Sequence, residues 1–313
     1  MKQYLLASLF AGAVALPAMA DYTIIAPANP GGGWDQTART MQTVMQEDGI
    51  SPSVQVQNVP GAGGTIGLAQ FASQNKGNDQ SLIVGGYVMV GAILTNNSPV
   101  SLKDVTPIAR LTGEYEAVVV PAASPIQDMA GLIEALKADP GAVSWAGGSA
   151  GGTDHIAVGL IAKAAGVDPT KINYIAYSGG GEALAAILGN QVTAGVSSLG
   201  EFDAQVKAGT LRLLAVSAPE RIAGVEAPTL KEAGLDVELQ NWRMVAAAPG
   251  LSDEQKAKVS ADIEKMVKSE NWQKQLADKG WSDTYLSGAD FDAQLAKDEE
   301  ATAAVLKDIG LVK

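Results

Sequence analysis

The stretch YTIIAPANPGGGWDQTARTMQTVMQ (residues 22–46) decides the fold. A short β-rich apolar run leads into Gly31, Gly32 and Gly33, and these open directly onto a run with helical spacing. Trp34, Ala38, Met41 and Met45 recur at i, i+4, i+7 and i+11, one apolar stripe, while Arg39, Gln42 and Gln46 face away. Asp35 stands where an N-cap is expected, with a carboxylate suited to accept first-turn N–H groups. Three glycines forgo side-chain contacts and cost entropy on folding, so their placement before a helix asks for a reason beyond a turn.

The same unit of strand, glycine cluster and Ala-rich helix returns three times. It appears as SVQVQNVPGAGGTIGLAQFASQ (53–74), AVSWAGGSAGGTDHIAVGLIAKAAG (142–166) and NYIAYSGGGEALAAILGN (173–190). Helix-sized crossovers between apolar strands define an α/β protein with mainly parallel sheets, in which ligands bind beyond the carboxyl ends of the strands. All four glycine clusters fall there. In the third unit a helix is expected to bury Ile156, Leu160, Ile161 and Ala164, with Thr153 as its N-cap.

An apolar strand ends at Pro121 before a Ser-Pro turn, and GLDVELQNWRMVAAAPG (234–250) reads as the matching return. Residues 123–239 hold a complete set of strands and helices. The expected organisation is therefore a first lobe of 21–122 with 240–313 and an inserted second lobe of 123–239. Ser252 and Gln255 form a capping box, followed by Val259, Ile263, Met266 and Val267 on one helical face. A last helix over about 291–309 places Leu295, Thr302 and Leu306 together.

Residues 1–20 have Lys2, an apolar run to Leu16 and small residues at Ala18 and Ala20, the pattern of a secretory signal cleaved after Ala20. Its apolar core is short for a membrane span. The expected product is a soluble, exported protein, and export without any Cys fits a bacterial periplasm. Loss of Lys2 leaves 21 basic and 34 acidic residues, a net charge of 21 − 34 = −13. That balance speaks against nucleic acid as a partner.

A glycine-rich turn into a helix exposes backbone N–H groups at the positive end of the helix dipole, and anions bind there without a basic side chain. A plain tight turn is the alternative for any one cluster; four together favour convergence on an anion. GAGGTIG (61–67) has Ile66 where a dinucleotide fingerprint needs Gly or Ala, and no G-x-x-x-x-G-K-[ST] occurs. GGSAG (147–151) matches the G-x-S-x-G nucleophile elbow, but the sole histidine, His155, lies six residues after Ser149 instead of far downstream behind an acid. His155 is read either as a ligand contact or as a local hydrogen-bonding residue of the first helical turn. One His, no Cys and no clustered carboxylates leave nothing for zinc, and no metal or cofactor is expected. Trp34 belongs to the apolar stripe, where core packing competes with ligand stacking. Arg243, one of five arginines, sits in the apolar run NWRMVAAAPG (241–250); its fork suits a carboxylate, and equally an inter-lobe salt bridge.

Taken together, these motifs resemble those of the tripartite tricarboxylate transporter receptors, the Bug family of periplasmic solute-binding proteins. The likeness covers essentially the whole exported chain. A P-G-G-x-x-D loop is matched by Pro30, Gly31, Gly32 and Asp35, and P-G-A-G-G-x-x-G by residues 60–64 with Gly67. S-x-G-x-x-x-H is matched by Ser149, Gly151 and His155, and Y-x-G by Tyr177 and Gly179. The resemblance implies a two-lobed type II periplasmic binding protein, each lobe a mainly parallel sheet flanked by helices, working as a monomer without catalysis. It implies closure on a di- or tricarboxylate, citrate leading, and delivery to the large and small integral subunits of a permease. By the same resemblance most main-chain contacts to one ligand carboxylate fall to Gly31–Gly33 and to Ser149 through Thr153; the full set of candidate ligand contacts, from the residues and the resemblance together, is Gly31, Gly32, Gly33, Trp34, Gly63, Gly64, Ser149, Gly151, Gly152, Thr153, His155, Tyr177, Ser178, Ser197 and Arg243. Ser197 stands where many relatives have an aspartate, and a hydroxyl donates to an anion that a carboxylate would repel. Met244 departs from the glycine common after the arginine. Two alternatives remain: an exported serine hydrolase using Ser149, and the same receptor role for an aromatic acid or amino acid.

Overall fold

The computed structural model describes residues 22–313, so the expected leader and its cleavage after Ala20 lie outside the described residues. Strands β1 (Tyr22–Ala26), β2 (Val54–Asn58) and β3 (Ser81–Gly86) run parallel with β1 in the middle. Helices α1 (Gly33–Glu47) and α2 (Thr65–Gln74) follow the first two glycine clusters. Trp34, Ala38, Met41 and Met45 are all buried, as the 3.6-residue period requires of a helix lying on a sheet. Chain order continues through α3 (Tyr87–Thr95) into β4 (Thr106–Pro121), a strand of 16 residues.

The long strand β4 belongs to two sheets. Over residues 106–115 it pairs antiparallel with β9 (Gln240–Ala247), which also borders β3, and β10 (Ser282–Ser287) lies along its other edge. From Glu116 onward its partners are β7 (Ala194–Ser198) and β8 (Leu211–Val216). Beyond β7 the second sheet continues in parallel with β5 (Ser144–Gly147) and β6 (Asn173–Ala176). The βαβ portions are thus parallel, and the crossing strands β4 and β9 add antiparallel pairs because they run against the strands they join. The change of partners falls between Tyr115 and Glu116, upstream of the boundary read at 122/123.

Alternate residues of β4 feed two cores. Ala117 and Val119 pack with Ala183, Ile187 and Phe202 of α6 (Gly180–Leu188) and α7 (Leu199–Lys207). Val118 and Val120 join the larger cluster, which runs from Ile24 and Met41 to Trp145 and Trp272. Helices α4 (Met129–Ala138) and α5 (Thr153–Ala164) contribute to the larger cluster through Met129, Leu132, Ile156 and Ile161. On α5, Ile156 and Ile161 are buried and Leu160 partly so, while Ala164 is exposed and Val158 and Ala162 turn inward in its place.

At the C-terminus, α8 (Asp253–Val267) starts from the Ser252/Gln255 capping box and buries Val259, Ile263, Met266 and Val267, as expected. After α9 (Glu270–Lys279), α10 (Gly288–Asp308) buries Phe291, Leu295, Thr302 and Leu306. Its end reaches α5: Lys163 Nζ bonds Asp308 at 2.6 Å, and a Cβ at Gly159 would crowd Ile309 at 2.8 Å.

Candidate functional site

The four glycine clusters open on one cleft of about 860 Å³. Gly31, Gly32, Gly33 and Trp34 line it from the first loop, Gly63 and Gly64 from the second, and Ser149, Gly152 and Thr153 from the third. Tyr177 and Ser178 come from the fourth, with Gly179, Gly180 and Gly181. Ser197 of β7 and Arg243 of β9 close the floor; their register partners on β4 are Ala117 and Thr112, on either side of the partner change.

Two expected residues lie behind the lining. Gly151 has φ of +73°, and a Cβ there would overlap the Thr95 side chain of α3. His155 stacks on Tyr174 with ring centroids 4.0 Å apart, and its Nδ1 accepts the Gly151 N–H at 3.3 Å. Burial lowers its pKa to about 4, so the ring is neutral at pH 7 and serves as a brace for the third loop.

The helices that start at the cleft lack side-chain caps. The N-caps of α1, α2, α5 and α6 are Gly32, Gly64, Gly152 and Gly179, none of which bonds the first turn through a side chain. Elsewhere α4, α8 and α9 start with Asp128, Ser252 and Ser269 accepting a first-turn N–H, while α10 starts at Ser287 without a side-chain cap. The positive helix ends at the cleft are therefore left for something else to satisfy. This corrects two expectations, since Gly32 and Gly152, one or more residues earlier, take the N-cap places read for Asp35 and Thr153. Asp35 still supports the loop. Burial pulls its pKa up, but bonds from Arg39, the Gly31 N–H (2.8 Å) and Asn58 prevail and hold it low. Thr153 Oγ1 is buried with no hydrogen-bond partner among the described residues.

Trp34 satisfies both of its readings. It is 8% exposed within the core and still borders the cleft, and its ring fills the space beside Gly64, where φ is +87° and a Cβ would sit 2.6 Å from the indole. Arg243 is likewise double. Its guanidinium lies under the start of α1, where a Cβ on Gly33 would overlap it, and it forms an ion pair with Glu114. Both partners are almost fully buried, at 3% and 5% exposure, and the Arg243 Cζ lies over the Trp281 ring, 5.1 Å from its centroid. Nη1 has no partner among the described residues. Met244 points into the core, 0% exposed, and so leaves the lining unchanged.

No clustered carboxylates were visible in the sequence, and here the fold gives a correction. Glu114 and Glu116 share one face of β4 by strand alternation, and Asp154 of α5 and Glu201 of α7 come up against them. Burial, then Asp154, Glu201 and Glu114, drive the Glu116 carboxyl well above its usual range, and neither of its oxygens has a hydrogen-bond partner among the described residues. Asp154 is raised to about 6 by burial, against the pull of the Gly148 N–H at 2.5 Å. Glu201 is raised to about 7 by burial, against a bond from Ser197. The Ser197 hydroxyl, expected to face a ligand, donates to Glu201 Oε2 instead. The one available signal was GEYEA (113–117), two carboxylates at strand spacing inside an apolar run. Among the described residues, no three His, Cys, Asp or Glu side chains are grouped to hold a metal ion.

An α/β protein with two sheets joined by a shared strand, and uncapped helix ends facing a common cleft, has the build of a solute-binding protein. The chain matches the model of the tripartite tricarboxylate transporter family receptors over residues 37–311 and belongs to that family. BugT of Bordetella pertussis is 30% identical over 236 residues, 72% of this chain and 70% of that one. A Rhodopseudomonas palustris protein solved with adipate has a TM-score of 0.84 at 22% identity, covering 92% of this chain and 97% of that one. MatC of the same organism, solved with malate, gives 0.77 at 22% identity over 92% and 98%. These two likenesses are of fold. Among the described residues no helix is long and apolar enough to cross a membrane.

Proposed function

We propose that the chain, exported to the periplasm, captures a di- or tricarboxylate between two lobes and delivers it to the large and small integral subunits of a tripartite permease. Citrate is the leading candidate. The observation that carries this reading is the convergence of glycine-capped helix ends on one cleft, each without a side-chain cap. The lobes would meet where β4 changes partners, after Tyr115, and at the return into β9. A ligand bridging them stabilises the closed form by its differential affinity, and the closed form is the one presented to the permease.

The energies are of the right size. Micromolar affinity needs about 8 kcal/mol. A partly buried helix end contributes up to about 2 kcal/mol, and charge-assisted hydrogen bonds roughly 1.5 to 3 each, less the ordering costs. A hydrolase reading would need His155 as base to Ser149, whereas the His155 ring is held by the Gly151 N–H and by Tyr174. A thermal-shift and calorimetry panel of citrate, tricarballylate, succinate, aromatic acids, amino acids and generic esters separates these readings. Stabilisation by di- or tricarboxylates is expected. Stabilisation by none of them, with ester cleavage that Ser149→Ala abolishes, would reverse the assignment.

A further inference from the structure

We propose that Glu201 reads the far end of the ligand, donating a hydrogen bond as a carboxylic acid to the second carboxylate of a dicarboxylate whose first carboxylate sits on the glycine loops. This rests on the receptor reading above. Glu201 stands in the first turn of α7 and borders the cleft. Its carboxyl is fixed from two sides: Ser197 donates to Oε2, and Gly180 has no side chain where a Cβ would overlap it. A donor from Ser197 on one oxygen leaves the acid's own proton for another acceptor.

The charges around Glu201 explain the protonated form. Glu114 and Glu116 face it from β4, Asp154 from α5 and Arg243 from β9. Arg243 is committed to Glu114. Glu182 on α6 also borders the cleft, and its Oε2 accepts the Ser178 N–H at 3.1 Å. Full ionisation of Glu114, Glu116, Asp154 and Glu201 against one guanidinium would leave 1 − 4 = −3 beneath an anion site. Burial with these neighbours brings Glu201 to about 7, and an anionic ligand reinforces the neutral form.

One further observation points to an acceptor on the ligand. Arg243 Nη1 is a buried donor, and Thr153 Oγ1 a buried hydroxyl able to donate, both without partners among the described residues and both in residues that border the same cleft. A guanidinium N–H can be answered only by an acceptor, not by an ammonium group. A carboxylate at each end of the ligand would answer both the loop N–H groups and Glu201.

Malate and adipate are the probes, with hexanoate and 6-aminohexanoate as the monocarboxylate and amino counterparts of adipate, titrated calorimetrically at pH 6 and pH 8. If only the acid form binds, a midpoint of about 7 makes a dicarboxylate about tenfold weaker at pH 8. Glu201→Gln, whose amide donates at either pH, is expected to bind the dicarboxylate with that pH dependence removed. Glu201→Ala is expected to lose at least tenfold at pH 6, and hexanoate to respond to neither variant. An equal pH dependence in wild type and Glu201→Gln overturns the proposal, as does loss of dicarboxylate binding in Glu201→Gln. Tighter binding of 6-aminohexanoate than adipate overturns it too, by making Glu201 an acceptor. Failure of every carboxylate to bind the wild type at both pH values instead removes the receptor reading, and this proposal with it.

Discussion

Replacing Arg243 separates a binding role from a structural one, provided its partner is handled as well. Arg243 and Glu114 are 3% and 5% exposed, so Arg243→Ala strands a carboxylate in the interior. Breaking a buried pair from one side costs about 3 to 5 kcal/mol. At roughly 2 to 4 °C per kcal/mol for a chain of this class, the melting temperature is expected to fall by about 6 to 20 °C. Adding Glu114→Gln removes the stranded charge, and the double variant is expected to regain most of that loss. Affinity follows different arithmetic. A charge-assisted hydrogen bond from the guanidinium to a ligand carboxylate is worth about 1.5 to 3 kcal/mol, a loss of roughly 10- to 150-fold. That loss is expected in both the single and the double variant, measured by calorimetry with whichever of citrate, malate or adipate binds the wild type most tightly. A folded double variant with unchanged affinity would refute the reasoning and make Arg243 a pin between β4 and β9.

Four further outcomes are expected. Gly33→Ala places a Cβ against the Arg243 guanidinium; overpacking of this kind costs about 1 to 3 kcal/mol, and carboxylate affinity should drop at least tenfold, as titration would show. Raised carboxyl pKa values make the folded state hold extra protons, so Glu201, moving from 4.5 to about 7, subtracts stability as pH rises across that window. Glu201→Gln should therefore gain on the wild type by about 1.4 kcal/mol per pH unit there, read from denaturant unfolding at a series of pH values. His155, lowered from 6.5 to about 4, acts oppositely: its contribution is complete above about 6.5 and is lost as pH falls toward 4. Finally, Ser252→Ala removes the α8 cap and should cost about 1 kcal/mol without altering ligand affinity.

Local pattern carried most of what the sequence could tell. The stripes of α1, α8 and α10 and the Ser252/Gln255 box depend on neighbours within a few turns, and all are found as read. The glycine clusters were legible for the same reason, although their meeting in one cleft depends on the fold. Cap positions slipped because a side chain able to cap, at Asp35 or Thr153, is indistinguishable in sequence from one placed inside the first turn behind a glycine. The change of sheet partners after Tyr115 was hidden because β4 stays one uninterrupted strand while its partners change. The carboxyl cluster was least visible. Its members come from residues 114, 116, 154 and 201, and only the two on β4 are close enough in sequence to suggest a shared face. Ser197 lines the cleft as read, but its bond to Glu201, four residues on at the start of α7, was not legible in the sequence.

The most direct test of the carboxylate cradle is a crystal structure of the chain with its tightest-binding carboxylate. Ligand carboxylate oxygens are expected within hydrogen-bond distance of backbone N–H groups at the starts of α1 and α5, between Gly33 and Thr153. A ligand bound in the cleft with its carboxylates away from both helix starts would contradict it.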